Sequence, residues 1–245
     1  TVSVWSQGTL PAELGQLQHL AQFVVYNNPR LSGTMPWALE ALSSVNMLSL
    51  YGNPRISGTL PAWGNGTATN GHGMPSLNSL YLSGNPMLSG TIPRYFGNLG
   101  HSSSPKPKLT QLYLSDNPRL TGTVPTELGK LTALEELALQ GNAGITGSIP
   151  REFGKLKRVR QLYLSHGGFS GSIPTELGDM AALTSAYVDR NPGISGSLPA
   201  ALGQLTNLQR FDCFDNTALG GSIPALKSCS SLTQLDLQNC SFSQL

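Results

Sequence analysis

Apolar residues along this chain recur in a fixed spacing, L-x-x-L-x-L-x-x-N, with polar residues between them. One copy reads Leu20, Phe23, Val25, Asn28 and another Val45, Leu48, Leu50, Asn53. Later copies include Leu109, Leu112, Leu114, Asn117 and Leu134, Leu137, Leu139, Asn142. The L-x-L core alternates with period two, which predicts a short strand with one apolar side. Such a strand is too short to cover its own apolar side. Neighbouring copies must therefore stack and seal it.

A second motif locks the period. Gly-(Thr/Ser)-(Leu/Met/Ile/Val)-Pro occurs nine times, starting at Gly8, Gly33, Gly58, Gly90, Gly122, Gly147, Gly171, Gly196 and Gly221. The steps are 24 or 25 residues, with two consecutive steps of 32. The proline fixes a return of the chain. Segments such as Thr126-Glu127-Leu128-Gly129 read as one short helical turn ended by glycine. Asparagine follows most strands because a sharp turn points backbone N–H and C=O groups inward, and an amide satisfies both kinds. Gly167 and Cys240 take that place in two coils. Asn-Pro pairs such as Asn117-Pro118 suit a tight turn out of the strand.

The full consensus, best seen from Leu114 to Leu131, resembles the plant-type class of leucine-rich repeats. That class is similar to the ectodomains of plant receptor kinases and to polygalacturonase-inhibiting proteins. The extra Asn-Pro residue also resembles surface antigens of trypanosomatid protists and repeat proteins of algae. The resemblance covers essentially the whole chain and implies an α/β solenoid. It would be a curved right-handed coil with about nine repeats, a parallel sheet on the concave face, and short helical turns and loops on the convex face. Residues 1–245 then form a single domain, roughly 45 Å long at about 5 Å per coil. With half a repeat at each end and no cysteine-rich cap, the chain reads as part of a longer polypeptide.

In such a sheet the residues flanking the core leucines face outward. The central column reads Val24, Ser49, Tyr81, Tyr113, Ala138, Tyr163, Tyr187, Asp212, Asp236. Flanking columns carry Gln111, Gln161 and Arg210 on one side and Tyr26, Tyr51 and Asp189 on the other. Six of the 7 tyrosines fall on this face. Tyrosine gives rigid contact area plus one hydroxyl and is enriched at binding hot spots. Tyr81, Tyr113, Tyr163, Tyr187, Gln111, Gln161, Arg210, Asp189 and Asp212 are thus the candidate partner-binding residues. Tyrosines stacked across coils would equally serve the sheet itself, and the two roles are compatible. The charges of the late coils read as a solvated face, with binding of a cation or a basic peptide as the alternative.

Composition narrows the function. Net charge is +2 and charged residues make up 11%, which leaves no broad basic field for nucleic acid. No apolar run approaches the ~20 residues of a membrane span, so no direct membrane insertion is expected. Arg151, Lys155, Lys157, Arg158 and Arg160 cluster on one coil and read as a solvated patch. The long coils carry insertions at 62–76 and 94–108, which should emerge side by side. Asn65-Gly66-Thr67 is a glycosylation sequon in the first, making Asn65 the candidate acceptor. His72 and His101 lie one in each insertion without a cysteine or carboxylate cluster, so no metal site is expected. Cys213, Cys229 and Cys240 read as free thiols, with a disulfide between two of them as the alternative that spacing does not decide. No nucleophile elbow, zinc-protease helix or phosphate loop is present, and Glu135 and Glu136 face opposite ways.

The reading is a non-enzymatic recognition module without a cofactor. It would bind a protein, peptide or glycan on its concave face, in the extracellular space or at the cell surface. The alternatives are a structural subunit packed inside a larger assembly and a hydrolase inhibitor like the plant proteins named above.

Overall fold

The computed structural model describes residues 8–65, 73–101 and 107–244. Each L-x-L core is a three-residue strand. Nine of them, from Gln22–Val24 to Gln234–Asp236, pair in sequence order in one parallel sheet. The register carries no slip: Leu112 pairs with Leu137 and Leu137 with Leu162. This is the array the hydrophobic period predicts. Its core leucines are sealed inside, with Leu112, Leu137 and Leu162 at 0% exposure. Leu235 lies on the outermost strand, with a neighbouring strand on one side only, and is 39% exposed.

The sequence reading placed turns and loops where the structure has a second sheet. The stretches around the motif glycine, such as Arg55–Thr59 and Arg119–Thr123, belong to a sheet of ten parallel strands, again in sequence order. The motif glycine makes this possible. Gly122 has φ of 79°, a region costly for any residue with a Cβ. A Cβ built there would also lie 2.8 Å from the methyl group of Thr91 on the preceding coil. The G-T pair is therefore one contact read twice: each threonine methyl packs over the glycine of the next coil.

The motif proline precedes a five-residue 3-10 turn in most coils, as Pro125 does for Thr126–Lys130. Its φ of −64° leads directly into the turn. One buried residue of each turn, such as Leu128 or Phe153, closes the core from the convex side.

The asparagine ladder runs between the two sheets. Asn117 donates through Nδ2 to the carbonyls of Leu114 (2.7 Å) in its own coil and Leu82 (3.1 Å) in the coil before. Its Oδ1 accepts the N–H of Asn85 at 2.9 Å. Cys240 replaces the amide with a thiol and donates to Cys213 O at 3.0 Å. At Gly167 the ladder lacks a side chain, and the Gly167 N–H donates to Asn191 Oδ1 at 3.1 Å. All three cysteines are free.

The two long coils are fastened together, as their adjacency predicts. Trp63 lies parallel to Phe96 with ring centroids 6.3 Å apart. Asn98 Nδ2 donates to Gly64 O at 2.9 Å, and the buried Glu40 accepts the Gly64 N–H at 2.8 Å. Residues 66–72 and 102–106, including His72 and the Gly66-Thr67 part of the sequon, lie outside the described residues.

Candidate functional site

The in-register sheet lines up the tyrosines that sequence alone placed on one face. Tyr81 pairs with Tyr113, Tyr113 with Ala138, Ala138 with Tyr163, and Tyr163 with Tyr187. The column is therefore two tyrosine pairs separated by Ala138, which is fully buried. The Tyr81 and Tyr113 rings are 5.1 Å apart and tilted by 37°. Those of Tyr163 and Tyr187 are 4.9 Å apart and 7° from parallel.

The amide column beside them holds the hydroxyls. Tyr81 donates to Gln111 Oε1 at 2.5 Å and Tyr163 to Gln161 Oε1 at 2.6 Å. Tyr113 donates to Glu136 Oε2. Glu136, absent from the residues picked out by sequence, also accepts from Gln111 Nε2 at 3.4 Å. Partial burial, then the Glu136 carboxylate, push the Tyr113 phenol well above its ordinary value. Burial and the neighbouring Tyr187 raise Tyr163 as well. Both phenols stay neutral donors at physiological pH, and their rings stand in fixed orientations.

Arg210 continues the second pair. Its guanidinium lies 5.1 Å from the Tyr187 ring centroid and contacts Asp212 Oδ2 through Nη2 at 2.7 Å and Nε at 2.8 Å. Tyr163, Tyr187 and Arg210 thus form one continuous stack. The acidic residues depart from the expectation of a solvated face. Asp212 is 3% exposed and held by Arg210, while Asp189 is 4% exposed and accepts from Ser165 Oγ at 2.5 Å. The partner of Asp189 comes from the preceding coil and that of Asp212 from its own strand, so each carboxylate is held in place by a fixed donor.

A hollow of about 490 Å³ opens beside the first tyrosine pair. Tyr26, Tyr51, Tyr81 and Tyr113 wall it, with Asp116 and Gln140 at one end. Ser49, Ser83 and Ser115, all buried, form its floor. The hollow exists because small serines occupy positions between large rings. Gln140, Asp116, Tyr26 and Tyr51 were not among the site residues chosen from sequence. Tyr26, Tyr51 and Gln140 stand in the flanking column two residues beyond the central one, and Asp116 follows that column by one residue, but volume between columns is not written in a linear pattern.

Elsewhere, the basic cluster is interleaved with acid. Arg151 pairs with Glu152 at 3.4 Å and Lys157 with Asp179 at 3.7 Å. Among the described residues no group of histidine, cysteine, aspartate or glutamate side chains is arranged to hold a metal ion. No helix among them is long and apolar enough to cross a membrane. Asn65 is exposed at the base of its insertion.

Repeat period, paired parallel sheets, 3-10 turns and asparagine ladder together define the class: this chain is a leucine-rich repeat solenoid of the plant type. A family model described as Leucine Rich Repeat matches residues 76–99 and 108–131. A solved TDR receptor superimposes with a TM-score of 0.82 at 26% identity, over 96% of this chain and 37% of that one. The ectodomain of the Arabidopsis thaliana receptor kinase GASSHO1/SCHENGEN3, solved with CASPARIAN STRIP INTEGRITY FACTOR 2, gives 0.70 at 29% identity, over 96% and 29%. The Arabidopsis receptor kinase HAESA ectodomain, solved with an IDA peptide hormone ligand, gives 0.72 at 34% identity, over 86% and 33%. The chain spans about a third of the length of these solved chains. Among curated protein sequences none matches significantly.

Proposed function

We propose that the concave sheet is a recognition surface for an extended peptide or protein segment, within a secreted or cell-surface protein. The observation that carries this reading is the tyrosine column itself. Four rings stand in line; the hydroxyls of Tyr81, Tyr113 and Tyr163 are already engaged by Gln111, Glu136 and Gln161, and the Tyr187 ring is held by stacking on Tyr163. A side chain immobilised before contact loses little rotamer freedom on binding, so more of the contact energy becomes affinity. The likeness to receptor-kinase ectodomains, one of them solved with a peptide hormone ligand, supports the same reading and the extracellular setting. Glycosylation at Asn65 belongs to that setting and is part of the proposal. The role is binding without catalysis.

The test is selection of a displayed random-peptide library on the chain, followed by capture with a variant carrying both Tyr113→Ala and Tyr163→Ala. Capture should fall more than tenfold while circular dichroism and cooperative unfolding persist. Selected peptides held equally well by the double variant would refute the concave reading.

A further inference from the structure

We propose that the hollow walled by Tyr26, Tyr51, Tyr81 and Tyr113 seats a basic side chain, arginine or lysine, of the segment that lies along the sheet. This rests on the concave face being the recognition surface and names the chemistry of one of its subsites.

The walls come first. Tyrosine rings carry negative potential on their faces and attract ammonium and guanidinium groups. The hydroxyls of Tyr81 and Tyr113 are already engaged by Gln111 and Glu136, so these two residues offer the hollow ring surface more than hydrogen-bonding capacity. The charge at the end of the hollow is the Asp116 carboxylate, and among the described residues no cationic side chain lines it. Acceptor supply points the same way. Gln140 Oε1 is buried and has no hydrogen-bond partner among the described residues. A buried acceptor left unpaired is a standing cost that an entering donor removes. The volume of about 490 Å³ lies within the range of sites that enclose small ligands, ample for one long side chain.

The same sheet shows what a filled version looks like. At the far end of the column, Arg210 places its guanidinium over the Tyr187 ring and against the Asp212 carboxylate. Ring, guanidinium and carboxylate are all present there, contributed by the chain itself. The hollow has the rings and the carboxylate, and the cation is the missing member. Arg30, Arg55 and Arg119 are no substitutes, because none of them lines the hollow.

The experiment uses the full chain and fluorescein-labelled tetra-arginine, titrated by fluorescence anisotropy at 0.15 M salt. Tetra-citrulline, which keeps the shape and removes the charge, and tetra-glutamate serve as comparison probes. Tetra-arginine should bind saturably, and at least tenfold more tightly than either. Asp116→Asn should weaken it about tenfold; asparagine tolerates the positive φ of 57° at that position, so the corner is retained. Tyr51→Ala should weaken it comparably, since Tyr51 is half-exposed and supports no core. Glu176→Gln, which removes one negative charge from the convex side, should change binding less than twofold. Equal affinity for tetra-citrulline, no tetra-arginine binding, or equal losses from Asp116→Asn and Glu176→Gln would each overturn the proposal. If tetra-arginine fails while library peptides still depend on Tyr113 and Tyr163, only the basic subsite is lost. If library capture also ignores those tyrosines, the recognition surface falls with it.

Discussion

Tyr163 and Tyr187 lie ring over ring, 4.9 Å between centroids and 7° from parallel, although 24 residues separate them in the chain. The contact joins two coils on the same face proposed to bind a partner. Stacked aromatic pairs contribute about 0.5–1.5 kcal/mol beyond buried area. A double-mutant cycle of Tyr163→Ala and Tyr187→Ala, read by urea unfolding, should return a coupling energy in that range. Additivity within about 0.3 kcal/mol would mean that the rings are neighbours without energetic contact.

Asn117 supports two coils at once. Its amide bonds the Leu114 and Leu82 carbonyls and the Asn85 N–H, all buried. Asn117→Leu keeps the volume and strands those groups, each worth about 1–3 kcal/mol when buried and unpaired. The expected loss is about 3 kcal/mol or more by denaturant titration, with weakened amide-exchange protection at Asn85. A loss under about 1 kcal/mol would show that water or backbone movement replaces the amide.

Much of this architecture is written in the sequence. Leu112 and Leu137 reveal the first sheet because a period of two has no other economical reading. Tyr81, Tyr113, Tyr163 and Tyr187 share a face for the same reason, since an in-register parallel array turns equal positions in each repeat into a column. The second sheet is hidden because its strands contain a glycine such as Gly122 at positive φ, which reads as a turn. The burial of Asp189 and Asp212 is hidden too, because Ser165 and Arg210 decide it from other positions. The hollow beside Tyr51 depends on the difference in size between tyrosines and the serines beneath them. That is a property of packing across three coils, and no single repeat contains it.

The phenol of Tyr113 gives the fold a pH dependence. Its folded value lies above the ordinary 10.0, raised first by burial and then by its bond to Glu136. Folding therefore favours the neutral form. The associated stability is fully present below pH 10 and is lost as pH rises through the higher folded value. Melting temperature should decline above about pH 10, and the decline should be shallower in Tyr113→Phe, which has no proton to lose there. Absorbance at 295 nm should show Tyr113 and Tyr163 ionising above the ordinary phenol value. Identical slopes for the parent and Tyr113→Phe would remove Tyr113 from the account.

The glycine–threonine contact of the second sheet predicts different costs for the same substitution in different coils. A Cβ at Gly122 would lie 2.8 Å from the Thr91 methyl, whereas at Gly171 the preceding coil offers only the Ser148 Cβ at 4.0 Å. Both glycines have positive φ, 79° and 75°, so the backbone strain of an alanine is nearly equal and costs about 1–2 kcal/mol. Gly171→Ala should show that strain alone. Gly122→Ala should add the clash, about another 1 kcal/mol or more, because overpacking forces neighbours out of place. Thr91→Ser removes the offending methyl, and introducing it into the Gly122→Ala variant should bring the cost down to that of Gly171→Ala. Equal costs for the two single alanine variants would mean that the ladder of methyl groups fills space without constraining the coil above it. The serines that replace threonine from Ser148 onward would then carry no structural meaning.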